Sequence, residues 1–338
     1  MKAAMIPVSG TNWHNPDWKK LLSSSISKPA ELLERLNLTA EQMGDGKATE
    51  LFKLRVPLPF VERMEKGNPK DPLLLQVWPH PEEYHQQPGF TFDPLAEKHS
   101  NPVPGLLHKY GKRVLTITAA SCAINCRYCF RRHFPYDEQS YGQKTWQQWF
   151  DYIASNPHIN EVILSGGEPL LTSDSQLAEL VEGLSQFNHI KRLRIHTRLP
   201  VVIPQRITQS LTALAANSPF TWLMVLHINH PNEIDDALIR AAAQCHQAGI
   251  RLYNQSVLLK DINDDVVILA ELSEKLFDAH IQPYYLHLLD KVTGVHHFEV
   301  SEPKAQQLYQ EMLAQLPGFL VPKLVREIAG EASKTPFV

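Results

Sequence analysis

The chain has 338 residues, 43% of them hydrophobic, which is enough to bury the core of one or two domains and excludes a disordered chain. Thirty-three basic against 36 acidic side chains leave a net charge of −3, without the basic excess by which proteins grip duplex nucleic acid. Residues 1–15 lack the build of a secretory signal, no apolar run is long enough for a membrane span, and four cysteines cannot staple so long a chain. A soluble cytoplasmic protein with neither nucleic acid nor membrane as partner is expected.

Taken in chain order, two helices are predicted first, over 29–38 and over 48–66; Leu32, Leu33 and Leu36 give the first an apolar stripe. Residues 67–105 then hold eight prolines and should be irregular. The interleaved Trp78, Tyr84, Phe90 and Phe92 argue that this stretch wraps the next domain as an ordered segment. From residue 114 the pattern is regular. Strands are predicted at 114–119, 161–165, 192–197, 222–228, 251–259 and 283–288, with helical stripes between them, among them Leu177/Leu180/Val181/Leu184, Ile207/Leu211/Leu214 and Ile234/Leu238/Ala242/Cys245. Six strand–helix units imply an α/β protein with a parallel sheet, either a partial barrel or a doubly wound sheet, whose active site lies at the strands' carboxyl ends. The expected division is 1–105 for the wrapping region, 106–320 for the sheet and its helices, and 321–338 for a C-terminal segment.

Cys122, Cys126 and Cys129 directly follow the first predicted strand in a C-x3-C-x2-C spacing. Thiolates this close suit a soft metal or an iron–sulfur cluster, and three ligands leave one iron of a four-iron cluster open. Zinc completed by a histidine, or reduced thiols, would be the plainer alternatives. Cys245 continues a helical apolar stripe and reads as a core cysteine. The His296–His297 and His227/His230 pairs have no accompanying ligand pattern that would favour zinc. After the second strand comes Ser165-Gly166-Gly167-Glu168-Pro169, where two glycines would let the backbone approach a ligand.

With that turn, the cysteine spacing resembles the radical S-adenosylmethionine enzymes. The resemblance implies a partial (β/α)6 barrel of the TIM type, a [4Fe-4S] cluster on Cys122, Cys126 and Cys129, and S-adenosylmethionine on the open iron. Ser165, Gly166, Gly167, Glu168, His227 and Gln255 would contact S-adenosylmethionine. Within that superfamily the chain is similar to the lysine 2,3-aminomutases. The similarity is carried by Tyr110 and Arg113, Cys129-Phe130-Arg131-Arg132, the stretches 194–200, 227–233 and 254–259, Asp290, His297-Phe298 and Lys334-Thr335-Pro336. It implies pyridoxal 5′-phosphate held by Lys334, with Tyr110 and Arg113 beside it. Arg131 would pair with the substrate carboxylate, and Asp290 and Glu327 with its distal ammonium. Without the resemblance, Lys334 would read as a solvated tail residue.

The chemistry agrees with the residues. Moving an α-amine to the β-carbon requires opening an unactivated C–H bond, which no side-chain base can do at neutral pH, and the moving nitrogen needs a π-system; cofactors supply both. Three departures stand out. Glu327 occupies a position where the family has aspartate, with 328–333 replacing a glycine-rich run; the chain ends soon after Lys334; and His287 stands where tyrosine is usual.

The stretches 130–136, 283–287 and 320–324 resemble the subgroup that serves β-lysylation of elongation factor P. This implies free L-lysine as substrate, (R)-β-lysine as product, a link to the elongation factor P lysine ligase and to elongation factor P, and an electron donor such as flavodoxin. The competing readings are a stand-alone aminomutase for lysine or another amino acid, a radical enzyme modifying RNA or protein, and an iron–sulfur scaffold or redox protein. Asp290 and Glu327 argue against glutamate, since two anions at the distal end would repel its carboxylate. A modifying enzyme would want a second cluster, for which no cysteines remain.

Overall fold

In the computed structural model, which describes residues 17–95, 101–134, 143–331 and 333–337, nine strands form one open sheet in sequence order. They are β1 (Leu106–Tyr110), β2 (Arg113–Ala119), β3 (Glu161–Gly166), β4 (Arg192–Thr197), β5 (Thr221–His227), β6 (Arg251–Val257), β7 (Ile281–His287), β8 (Lys323–Arg326) and β9 (Thr335–Pro336). Strands β2 to β8 pair in parallel, while β1 and β9 pair antiparallel at the two edges. A helix follows each of β2 to β7, the six being Gln143–Ala154, Asp174–Ser185, Gln209–Asn217, Asp236–Gln247, Val266–Asp278 and Glu302–Gln315. This is the partial (β/α)6 barrel, extended by strands at both edges. The six predicted strands are present; β1, β8 and β9 are additional. Each of these three is short and has no adjoining stripe that sequence periodicity would detect.

The helices start where short polar side chains can take the free backbone N–H groups. Ser173, Thr208, Asp235 and Asp265 each accept from the first turn that follows. The predicted stripes turn inward: Leu177, Leu180, Val181 and Leu184 are buried, as are Leu238, Ala242 and Cys245. Burial pushes the Cys245 thiol up to about 12, as befits a core cysteine.

The N-terminal prediction needs correction. A helix forms over Pro29–Leu36, but 48–66 holds only a 3-10 turn at Lys47–Glu50 and one helical turn at Leu58–Val61. Pro57 and Pro59 prevent a longer helix there. Residues 67–95 do wrap the barrel, and polar groups tie them down more than aromatic ones. Trp78 is buried, with its indole donating to the Met43 carbonyl at 2.7 Å, yet Tyr84 and Phe92 are exposed. The buried Glu83 carboxylate receives Arg127 at 2.7 Å and Arg132 at 2.6 Å. Residues 1–15, Pro135, Tyr136 and Ala332, used in the sequence reading, lie outside the described residues.

Candidate active site

A cavity of about 290 Å³ runs through the barrel and collects nearly every predicted site residue. Cys122, Cys126 and Cys129 line one end, on the loop after β2. The wrapping region pins that loop: Arg55 donates to the Cys122 carbonyl at 3.0 Å, and the Arg127 amide to the Gln76 carbonyl at 2.9 Å. Burial, and then the neighbouring thiolates, hold the Cys122 thiol well above its usual range, and burial pushes Cys129 to about 11. Three thiolates cannot share this pocket without a cation to take up their charge, so the donor set fits a thiolate-bound cluster.

The turn after β3 lies against this loop. A side chain at Gly166 would meet the Ala119 carbonyl oxygen at 2.7 Å, and one at Gly167 the Ser121 carbonyl oxygen at 2.4 Å. Glycine at both positions therefore lets the turn pass this close to the end of β2 and the start of the cysteine loop, a packing reason that stands beside the ligand approach expected from sequence. Ser165 Oγ and the Gly166 carbonyl both lie within reach of Arg131, at 3.3 and 3.4 Å. Glu168 lines the cavity as well. Its carboxylate accepts from Leu170 N, Thr197 Oγ1, Arg198 N and Leu199 N, so it orders the loop after β4.

His196 and His227 line the middle of the cavity, and the Nε2 atom of each is buried with no hydrogen-bond partner among the described residues. Burial, and then Arg198, lower His227 to about 3; burial, and then Arg194, hold His196 well below the imidazole range. Both rings are neutral and each has a polar atom left for a ligand, which fits the adenosyl part of S-adenosylmethionine. Gln255 lines the same wall.

At the other end the two edges of the open sheet meet through side chains. Lys334, just before β9, donates to Glu327 Oε2 at 2.7 Å, while Tyr110 from β1 donates to Glu327 Oε1 at 3.4 Å and Lys109 lies 3.6 Å from it. Arg113 lies over the Tyr110 ring at 4.2 Å, and Lys334 over Tyr285 at 5.6 Å. Lys109, Arg113 and Arg194 put three cations on this wall, a donor set that fits the phosphate of pyridoxal phosphate near an amine able to hold it. His287 is buried here; burial, and then the Lys334 charge, hold it well below the usual range. Asp290, on the loop after β7, also lines the cavity.

Sequence reasoning missed Lys109, Arg194, His196, Arg198 and Tyr285. Lys109 adjoins Tyr110, and 194–198 belonged to a matching stretch, so position was available without a role. Outside the cavity, Glu82, His85 and His296 bring ligand atoms within 4.8 Å of one another, companions for His296 that its sequence neighbours did not reveal. His85 already bonds Glu82 at 2.8 Å, and both are exposed, so they read as a surface ion pair.

The profile of the Radical SAM superfamily matches residues 116–272, which span β2 through the helix after β6. A cysteine triad, a Gly-Gly turn and a partial barrel thus define a radical S-adenosylmethionine enzyme. The chain is 52% identical to an L-lysine 2,3-aminomutase of Escherichia coli, over 95% of this chain and 94% of that one. It is also 52% identical to one of Haemophilus influenzae over 94% and 95%, and 34% identical to one of Clostridium subterminale over 97% of this chain and 79% of the relative. The chain belongs to the L-lysine 2,3-aminomutase family, isomerases that use a [4Fe-4S] cluster, S-adenosylmethionine and pyridoxal phosphate.

Proposed function

We propose that this enzyme converts free L-α-lysine to (R)-β-lysine, for attachment to elongation factor P by a partner lysine ligase. One observation carries the reading: the three thiols and the Lys334 amine open into the same cavity, with Arg131 toward one end and Asp290 and Glu327 beside it. When bound, the cluster with S-adenosylmethionine supplies the one-electron chemistry that opens an unactivated Cβ–H bond, and pyridoxal phosphate supplies the π-system for the moving nitrogen.

The protein's residues bind and orient. Lys334 would hold pyridoxal phosphate, Lys109 and Arg113 would supply cations for its phosphate, and the Tyr110 ring supports Arg113. Arg131, steadied by Ser165 and the Gly166 carbonyl, presents a planar fork to the substrate carboxylate. Asp290 and Glu327 hold the distal ammonium and so fix which carbon faces the cluster end; two anions there exclude glutamate. Phe130 and Phe134 flank Arg131 and help keep water from the reacting carbon.

The elongation factor P assignment is supported by the sequence similarity of 130–136, 283–287 and 320–324 to that subgroup. A cytoplasmic location and a flavodoxin-like electron donor accompany it; no described helix is long and apolar enough to cross a membrane. Anaerobic incubation of reconstituted, reduced enzyme with L-lysine, S-adenosylmethionine and pyridoxal phosphate should yield β-lysine, with the (R) form found on chiral analysis. Product only from other amino acids would reject the substrate. In cells, loss of this chain should remove the β-lysyl mass from elongation factor P, and Lys334→Ala should fail to restore it.

A further inference from the structure

The strongest feature left unused by this chemistry is a fully enclosed arginine behind the cysteine loop. Arg198, just after β4, is 6% exposed and sends one terminal nitrogen to Cys126 Sγ at 2.8 Å and to the Tyr128 hydroxyl. Its other terminal nitrogen donates to Gln76 Oε1 at 2.6 Å and Glu233 Oε2 at 2.9 Å. Glu233 is itself held by the amides of Asn229 and His230, and Asn229 also reaches Gln76 and Tyr128. Burial alone would raise Glu233, but Arg198 and the Asn229 amide hold it below the usual carboxylate range. The guanidinium is therefore fixed by groups from three separate loops, one of them from the wrapping region.

We infer that Arg198 is a positioning residue that sets the reduction potential of the cluster, through its charged hydrogen bond to the Cys126 sulfur. A fixed positive donor at a ligand sulfur withdraws charge from it and stabilises the reduced cluster. The step is a one-electron transfer: a low-potential one-electron donor is oxidised, the cluster becomes one unit more negative, and no proton moves at Arg198. Glu233 opposes this effect, since its anion lies beyond the guanidinium and offsets part of its field. The network thus contains two charges of opposite sign whose removal should shift the potential in opposite directions. Gln76 extends the control to the wrapping segment, whose docking holds the guanidinium against the sulfur.

The inference rests on the cysteine triad holding an iron–sulfur cluster, and the test separates the two. Cluster-loaded enzyme is poised at a series of potentials and the reduced cluster counted by electron paramagnetic resonance, with iron and sulfide measured on each sample. Arg198→Met should lower the reduced-to-oxidised ratio at a fixed poise roughly tenfold, the scale of one hydrogen bond to a charged group. Tenfold corresponds to about 59 mV for one electron. Arg198→Lys should fall between Met and wild type, a partial rescue that a purely structural role would not order by charge. Glu233→Gln should shift the ratio the other way. An unchanged potential in an Arg198→Met enzyme with full iron and sulfide overturns the assignment. Should that variant hold no cluster, Glu233→Gln decides: an upward shift supports it and no shift overturns it. Wild-type protein without any iron–sulfur signal would fail the cluster reading itself.

Discussion

At the cluster end of the cavity the charged groups are sealed away: Glu83 and Glu233 are completely buried, and Arg127, Arg132 and Arg198 nearly so. At the lysine end, Lys334 and Glu327 each keep about a fifth of their side chains in contact with solvent, and the closure is Lys334, Tyr110 and Lys109 meeting on Glu327 between strand edges. The contrast follows from what each end must do. A cluster loop has to hold its geometry through a change of charge, and a buried, hydrogen-bonded ion network is costly to rearrange. An amine that is to capture a cofactor has to give up its resting partner, and a pair still one-fifth in water does so at a smaller cost than a sealed one.

The largest effects should come from removing the reacting group at either end. Cys126→Ser should abolish cluster incorporation, read as iron and sulfide per chain, while leaving pyridoxal phosphate capture at the other end intact. Lys334→Ala should do the reverse, eliminating the borohydride-fixed pyridoxyl mass while iron content stays unchanged. If either variant emptied both ends, the two would not be built independently.

Glu83→Gln should come next. Two buried arginines lose their counter-charge, and breaking such a pair costs about 3–5 kcal/mol, measurable as a lower urea midpoint. The matching loss at the lysine end, Glu327→Gln, should be smaller, about 1–3 kcal/mol, because that pair keeps a fifth of its surface in water and the amide oxygen can still accept a hydrogen bond. Equal losses would refute the contrast.

Acid should act on the buried histidines of the middle and lysine end. His196, His227 and His287 are neutral in the fold, whereas an unfolded histidine takes up a proton near pH 6.5. The unfolded chain thus binds more protons as pH falls. Stability should be intact above that value and drop below it by up to about 1.4 kcal/mol per pH unit for each histidine. For His227 the loss ends near about 3. Urea unfolding at several pH values checks this, and a flat profile below neutrality would reject it. Last, Cys245→Ser places a hydroxyl in a dry helix–sheet contact at a cost of about 1–3 kcal/mol. It should leave iron content unchanged, in contrast to Cys126→Ser.

Legibility followed the same division. The cluster loop is contiguous, and its spacing alone named the metal chemistry, but the reason for its rigidity lies in Gln76 and Glu83, over 40 residues before their arginine and tyrosine partners. Nothing local distinguishes those two from ordinary surface polar residues of a proline-rich stretch. The predicted helix over 48–66 failed because apolar residues destined for the barrel surface happened to fall at helical intervals. At the lysine end, family resemblance pointed to Lys334, Glu327, Tyr110 and Arg113 separately, without showing that the Glu327 carboxylate joins Lys334 to Tyr110.

By itself the sequence determined the strand–helix alternation, the inward stripes, the grouping of three cysteines on one loop and the apolar fate of Cys245, because these depend on residue type and short spacings along one chain. Tertiary structure alone decided that the sheet's edges close through Glu327, that the two glycines make room for the cysteine loop, and that Arg198 faces the Cys126 sulfur. Each of those depends on residues brought together from distant parts of the chain, where no periodicity survives and only packing and charge complementarity choose the partner.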